Sequence, residues 1–79
     1  MQQQQPQEIL THPALHLVTF GLTLAVAPGE SYATVLARFN AFRAPERQIT
    51  ALWAQDGRPI ALTDPVRGYT RAWVQSPGN

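Results

Sequence analysis

One amphipathic stretch, closed by chain breakers on both sides, constrains this sequence more than anything else in it. Ala27-Pro28-Gly29 ends whatever strand comes before, and Pro45 stops the helix that comes after, because a residue preceding proline avoids the α region. Between these breakers Tyr32, Val35, Leu36, Phe39 and Phe42 fall at helical spacing and form one apolar stripe. Ser31 is placed to cap the helix by accepting from an otherwise unpaired amide. Thr34 and Arg38 lie off the stripe, and Arg43 sits near the C-terminal end, where a cation suits the helix dipole. A chain with one such stripe needs a sheet to bury it against.

The strands are read from alternation. Within Leu15–Val26, Leu22, Leu24 and Val26 alternate with Thr23 and Ala25, and Phe20-Gly21 sits in the middle. That pair reads either as the turn of a hairpin or as a glycine bend in one long strand. The hairpin is preferred, since strands seldom exceed about ten residues. Residues 45–62 also admit two readings. As a helix, Pro45 takes the first position, Glu46 the first turn, and Ile49, Leu52 and Trp53 one face. As a hairpin, Asp56-Gly57 is a two-residue type I′ turn that sets Trp53 opposite Ile60 and Ala51 opposite Leu62. The hairpin is again preferred, with Pro59 then confined to an edge strand or to its first residue. After a loop over Thr63–Gly68, Tyr69–Val74 reads as the last strand.

The expected fold class is therefore α+β: one helix packed on a small, mostly antiparallel sheet, in the order ββαββ(β). That order, with Leu22-Thr-Leu-Ala-Val-Ala-Pro-Gly-Glu-Ser leading into the helix, resembles the ubiquitin-like β-grasp over residues 14–74. The resemblance implies the roll and not the carrier chemistry, because the Gly-Gly ending of conjugated carriers is replaced by Ser76-Pro77-Gly78-Asn79. A second stretch, Val26-Ala-Pro-Gly-Glu-Ser followed by Val35-Leu-Ala-Arg-Phe39, is similar to the start of a LysM module. This βααβ unit implies peptidoglycan or chitin as ligand. It needs residues 45–55 to be helical, with Gly57–Leu62 as the closing strand.

A chain of 79 residues removes only about 60% of its unfolded surface from water and supports one thin core. Residues 1–9, rich in glutamine, read as a disordered tail; residues 10–75 form the single domain, and 76–79 fray. The most apolar run, Leu15 to Pro28, is short and is broken by His16, Thr19, Gly21 and Thr23, so no membrane span is expected. Nothing near Met1 has the order of an export signal, and the expected location is the cytoplasm.

The inventory of reactive groups argues against catalysis. Without cysteine there are no disulfides, zinc thiolates or thiol nucleophiles. All six basic residues are arginine, which excludes a Schiff-base lysine. His12 and His16 stand four apart but are separated by Pro13, and no third ligand is near in sequence. Ser31 is already engaged as a cap, and Ser76 lies in the tail. Glu46, Asp56 and Asp64 fall at turn and helix boundaries, where acidic residues are ordinary. The sequence thus implies neither enzyme, metal nor cofactor.

Binding is what remains. Alternation in the last strand puts Tyr69, Arg71 and Trp73 on one face and Thr70, Ala72 and Val74 on the other. If the smaller set faces the helix, solvent meets the residue types that dominate interface hot spots. Arg58 and Arg67, in flanking loops, widen that patch. The competing reading makes Tyr69 and Trp73 core aromatics, with Arg71 reaching outward. The expected function is a non-enzymatic protein–protein interaction module, such as a phage- or plasmid-type inhibitor or an accessory subunit of a larger complex. The alternative is a nucleic-acid-binding accessory protein that stacks bases on the same residues. The formal net charge of +1 and the lack of lysine weigh against it. An open edge strand would also allow pairing with a second copy of the chain.

Overall fold

In a computed structural model, which describes residues 13–75, β1 (Ala14–Leu17) and β2 (Leu22–Ala25) form an antiparallel hairpin. The turn between them is one 3-10 turn over Val18–Phe20, closed by the Gly21 amide donating to the Val18 carbonyl at 3.2 Å. The chain therefore reverses at Phe20-Gly21, as the hairpin reading expects, although β1 already ends at Leu17. The chain next reverses through Ala27–Glu30, where the Glu30 amide donates to the Ala27 carbonyl at 3.0 Å. Pro28 and then Gly29, at φ 87°, hold the central positions, the arrangement of a type II turn.

The one α-helix, α1 (Tyr32–Asn40), starts as its sequence suggests: the Ser31 hydroxyl accepts from the Thr34 amide at 3.2 Å. The two preceding amides are also taken. Tyr32 donates to the Asp64 carbonyl at 3.1 Å and Ala33 to the Leu62 carbonyl at 2.9 Å. The loop after residue 61 is thereby fastened across the helix start, and the Val66 amide adds a 2.8 Å bond to the Glu30 carbonyl.

At its other end the helix is shorter than its stripe. Tyr32, Val35 and Leu36 are buried and Phe39 is half-buried, but Phe42 lies past the end and is 99% exposed. The expected inclusion of Phe42 in the stripe is therefore corrected, and the cause lies at Asn40. The Asn40 side chain turns to the backbone of Ile49, accepting from its amide and donating to its carbonyl, both at 2.9 Å. Gln48 Nε2 donates to the Arg43 carbonyl at 3.2 Å. These bonds draw the chain back across the helix end before another turn can form.

β3 (Tyr69–Ala72) lies beside β1 and runs parallel to it, giving the order β2-β1-β3. The sheet is thus mixed and three-stranded, one pairing antiparallel and one parallel, and of the expected order ββαββ(β) only three strands are assigned among the described residues. The fold is α+β. Its core lies between sheet and helix: Leu15, Leu17 and Ala72 come from the sheet, Val35 and Leu36 from the helix, and Leu52 from the following segment.

Residues 45–62 contain neither a second α-helix nor an assigned strand. Pro45–Arg47 is a single 3-10 turn with the proline at its start, so the helix that a LysM module needs here is not formed. Beyond it the chain makes a hairpin-like excursion held by isolated bridges. Trp53 pairs with Pro59, the Ile60 amide donates to the Leu52 carbonyl at 2.9 Å, and Ala54 donates to Arg58 at 2.8 Å. The expected register of Trp53 opposite Ile60 and Ala51 opposite Leu62 is one residue off. The loop has three residues, Gln55 to Gly57, instead of two; the Gly57 amide donates to Ala54 at 3.0 Å and Gly57 sits at φ 87°. A one-residue slip exchanges faces. Leu52 enters the core with Ile60 packed beside it, while Trp53 moves to the other side, half-buried. The last strand also ends earlier than expected, at Ala72, and Trp73 continues only as a bridge to Trp53. The expected tails, residues 1–9 and 76–79, lie outside the described residues, as do His12 and Ser76.

Candidate functional site

The sheet has two faces, and only one of them meets the helix. The β1 registers place Leu15 opposite both Leu24 and Thr70, and Leu17 opposite Ala72; these side chains turn to the core. The intervening rows turn away from it. His16 lies between Thr23 and Arg71, and Ala14 between Ala25 and Tyr69. Tyr69 is 61% exposed, Arg71 is exposed and Trp73 is half-buried, whereas Ala72 between them is fully buried. Trp53, bridged to Trp73, projects to the same side, since directly opposed residues share a face.

The outward side chains hold one another in place. The His16 and Tyr69 rings stack with centroids 5.9 Å apart and an interplanar angle of 22°. His16 Nδ1 is 2.7 Å from Thr23 Oγ1, tying the ring across to β2. The Arg71 guanidinium lies 5.9 Å from the centre of the Trp73 ring, within cation–π range. The rows from Thr23 to Arg71 and from Ala25 to Tyr69, with the two tryptophans beyond, contain no carboxylate. The resulting surface can offer aromatic area and a guanidinium to an incoming group.

Of the five residues singled out in the sequence, Tyr69, Arg71 and Trp73 come together on this face. Arg58 sits at the hairpin turn beside Asp56, Nε to Oδ2 at 3.4 Å, in a well-exposed pair. Arg67 lines a shallow pocket at the start of the helix with Tyr32, Ile60, Asp64 and Pro65. Sequence reasoning missed His16 and Trp53 as members of the face. The signal for His16 was available, because it alternates with Leu15 and Leu17. Trp53 was hidden by the register of its hairpin.

A second polar feature lies at the β2–helix corner. Arg38 and Glu30 form a two-pronged ion pair, with Arg38 Nη1 against Glu30 Oε2 and Nη2 donating to Oε1 at 3.0 Å. The Ala27 amide donates to the same Oε1 at 2.9 Å, and Arg38 Nη2 reaches the Ala25 carbonyl at 3.3 Å. The Arg38 hydrogen bonds, joined by the Ala27 amide, lower the Glu30 carboxyl from 4.5 to about 2. In return, the Glu30 hydrogen bond raises the Arg38 guanidinium above its usual value. This pair fastens the end of β2 and its turn to the helix.

At the opposite end of the helix Arg43 lies 4.8 Å from the centre of the Phe39 ring and 5.6 Å from that of Phe20. Its Nε donates to the Arg47 carbonyl at 3.0 Å. Among the described residues no three His, Asp or Glu side chains are grouped to hold a metal ion. No helix among them is long and apolar enough to cross a membrane. Comparison with protein-family models, with curated proteins and with solved structures finds no match.

Proposed function

We propose that this chain is a small, non-enzymatic protein-binding module of the β-grasp kind, of the size that serves as an inhibitor or an accessory subunit of a larger complex. The β-grasp reading is supported by the β1–β2 hairpin, the single helix after it, and a last strand parallel to β1. The Trp53 bridges extend the sheet beyond β3, as further short strands of that fold would.

The observation that carries the binding role is the sheet face turned away from the helix, with Tyr69, Arg71 and Trp73 beside His16. Rigid rings and a multidentate cation give large contact area at small entropic cost. With a guanidinium and no carboxylate in the Thr23–Arg71 and Ala25–Tyr69 rows, the complementary surface is an apolar patch bearing Asp or Glu.

The test is affinity capture with the full chain, followed by a binding titration with the purified partner. Arg71→Ala and Tyr69→Ala should each weaken that binding at least tenfold while leaving the melting temperature nearly unchanged. Unaltered affinity in both variants rejects the face. A titration with single-stranded DNA addresses the nucleic-acid alternative: binding that weakens steeply between about 50 and 200 mM salt would favour it over the protein partner.

A further inference from the structure

The two edges of the sheet are treated differently. Beyond β3 the described residues pair only at Trp73, where Trp53 and Trp73 exchange hydrogen bonds of 2.8 and 2.9 Å, and the strand itself carries the charged Arg71. Beyond β2, no described residue pairs with the strand.

A bond on the far side of β1 determines which groups β2 offers. The Ala14 amide donates to the Gly68 carbonyl at 3.0 Å, toward β3. Successive residues of a strand direct their backbone groups to opposite sides, so Ala14 and His16 bond toward β3, and Leu15 and Leu17 toward β2. In an antiparallel ladder directly opposed residues exchange both bonds or neither. Leu15–Leu24 and Leu17–Leu22 are thus the bonded pairs, leaving the N–H and C=O groups of Thr23 and Ala25 on the open edge. The Arg38 guanidinium reaching the Ala25 carbonyl from outside agrees with this parity, and that oxygen keeps a second lone pair.

We propose that β2 is the interface of a two-fold homodimer, in which Leu22–Ala25 of two copies pair antiparallel about Leu24. This register is self-complementary. Thr23 of each copy faces Ala25 of the other, so all four open donors and acceptors are matched, and Leu24 meets Leu24 on the axis. Leu24 also lines a shallow groove of about 320 Å³ with Val35, Arg38 and Phe39, which the second copy's Leu24 would close.

A second copy is favoured over a foreign strand by what the edge lacks. Natural edges are blunted by charged side chains, prolines or bulges. The residues of β2 itself include none of these, and from Pro13 to Gly29 the chain carries no Asp, Glu, Lys or Arg to repel its own copy; the charge that reaches the edge is Arg38, at the Ala25 carbonyl. The nearest charges, Arg38 and Glu30, already neutralise each other within one chain.

The test is sedimentation equilibrium of the full chain over a concentration series, alongside Thr23→Pro. The Thr23 amide points outward, so proline there removes a dimer donor and leaves the β1–β2 ladder intact. The expected result is twice the 8.7 kDa chain mass for the unaltered protein and the single-chain mass for the folded variant. A monomer throughout the series, or a dimer that persists in folded Thr23→Pro, overturns the proposal. Should the variant not fold, hydrogen exchange of the unaltered protein decides. Protection of the Thr23 and Ala25 amides that rises with concentration supports the edge, and concentration-independent exchange rejects it. Loss of the dimer in Arg71→Ala but not in Thr23→Pro would assign self-association to the aromatic face instead.

Discussion

Trp53 and Trp73 exchange both backbone hydrogen bonds, amide to carbonyl at 2.8 Å in one direction and 2.9 Å in the other. That reciprocal pair attaches the 52–60 excursion to the sheet. The aromatic face consequently depends on a turn remote from β1 and β2.

The turn depends in its own way on Gly57, whose φ of 87° a side chain resists. Gly57→Val should destabilise the fold by about 1–2 kcal/mol, the cost of forcing a substituted residue into the left-handed region. Urea denaturation followed by tryptophan emission measures it. An unchanged midpoint would mean that the hairpin contributes little to the sheet.

Leu36 and Phe42 lie on one helical stripe in the sequence but in different environments in the fold. Leu36 is buried, and Phe42 is 99% exposed. Leu36→Ala should cost about 2–5 kcal/mol, and Phe42→Ala should stay within about 0.5 kcal/mol. Equal losses by chemical denaturation would restore Phe42 to the core and refute the shortened helix.

That contrast shows what was legible in the sequence. Signals between near neighbours survived: the Ser31 cap and the Phe20-Gly21 turn depend on a few adjacent residues, whereas the helix expected to run on toward Pro45 ends earlier, at Asn40. Relationships across the chain were lost. The parallel pairing of β1 with β3 joins Ala14 to Tyr69, and no local pattern encodes its direction. At the hairpin, Asp56-Gly57 correctly marked a reversal, but the same dipeptide fits loops of two or three residues, and the difference moved Trp53 to the other face. Alternation grouped Tyr69 with Arg71 but left open whether that set faces solvent or the core; full burial of Ala72 and exposure of Tyr69 decide it.

Asn40 had no distinguishing mark in the sequence, yet its amide forms a two-bond bridge to Ile49, both at 2.9 Å. Asn40→Ala should cost about 1–3 kcal/mol, because it leaves the Ile49 amide and carbonyl without these partners in a partly buried place. Asn40→Asp keeps the acceptor but sets an oxygen against the Ile49 carbonyl, so it should recover little of that loss. Thermal melts of the two variants beside the parent check the order, and a fully stable Asp variant would contradict the bridge.

Glu30 should shape the acid limb of stability. Its folded carboxyl titrates at about 2 against an ordinary 4.5, owing first to the Arg38 hydrogen bonds and then to the Ala27 amide. A depressed carboxylate stabilises the folded state only when ionised, so its contribution is complete above about pH 4.5. It fades as pH falls toward 2. Melting temperatures from pH 6 to pH 2 should fall more steeply in the parent than in Glu30→Gln, with the two curves converging at the acid end. Parallel curves would show that the pair does not survive in solution.

β3 should give opposite answers at adjacent positions. Ala72 is fully buried against the helix side, and directly opposite it Leu17 is equally buried, so no volume is free for a larger side chain. Ala72→Leu should therefore cost about 1–3 kcal/mol through overpacking. Tyr69 and Arg71 look the other way, and their contacts are a ring stack on His16 and a guanidinium over Trp73, both at a wet surface. Tyr69→Ala and Arg71→Ala should each change stability by no more than about 1 kcal/mol. Urea midpoints of the three variants decide the matter. If removing Tyr69 or Arg71 costs as much as overfilling Ala72, those side chains belong to the core. The outward face would then be needed for folding and would have nothing left to offer a partner.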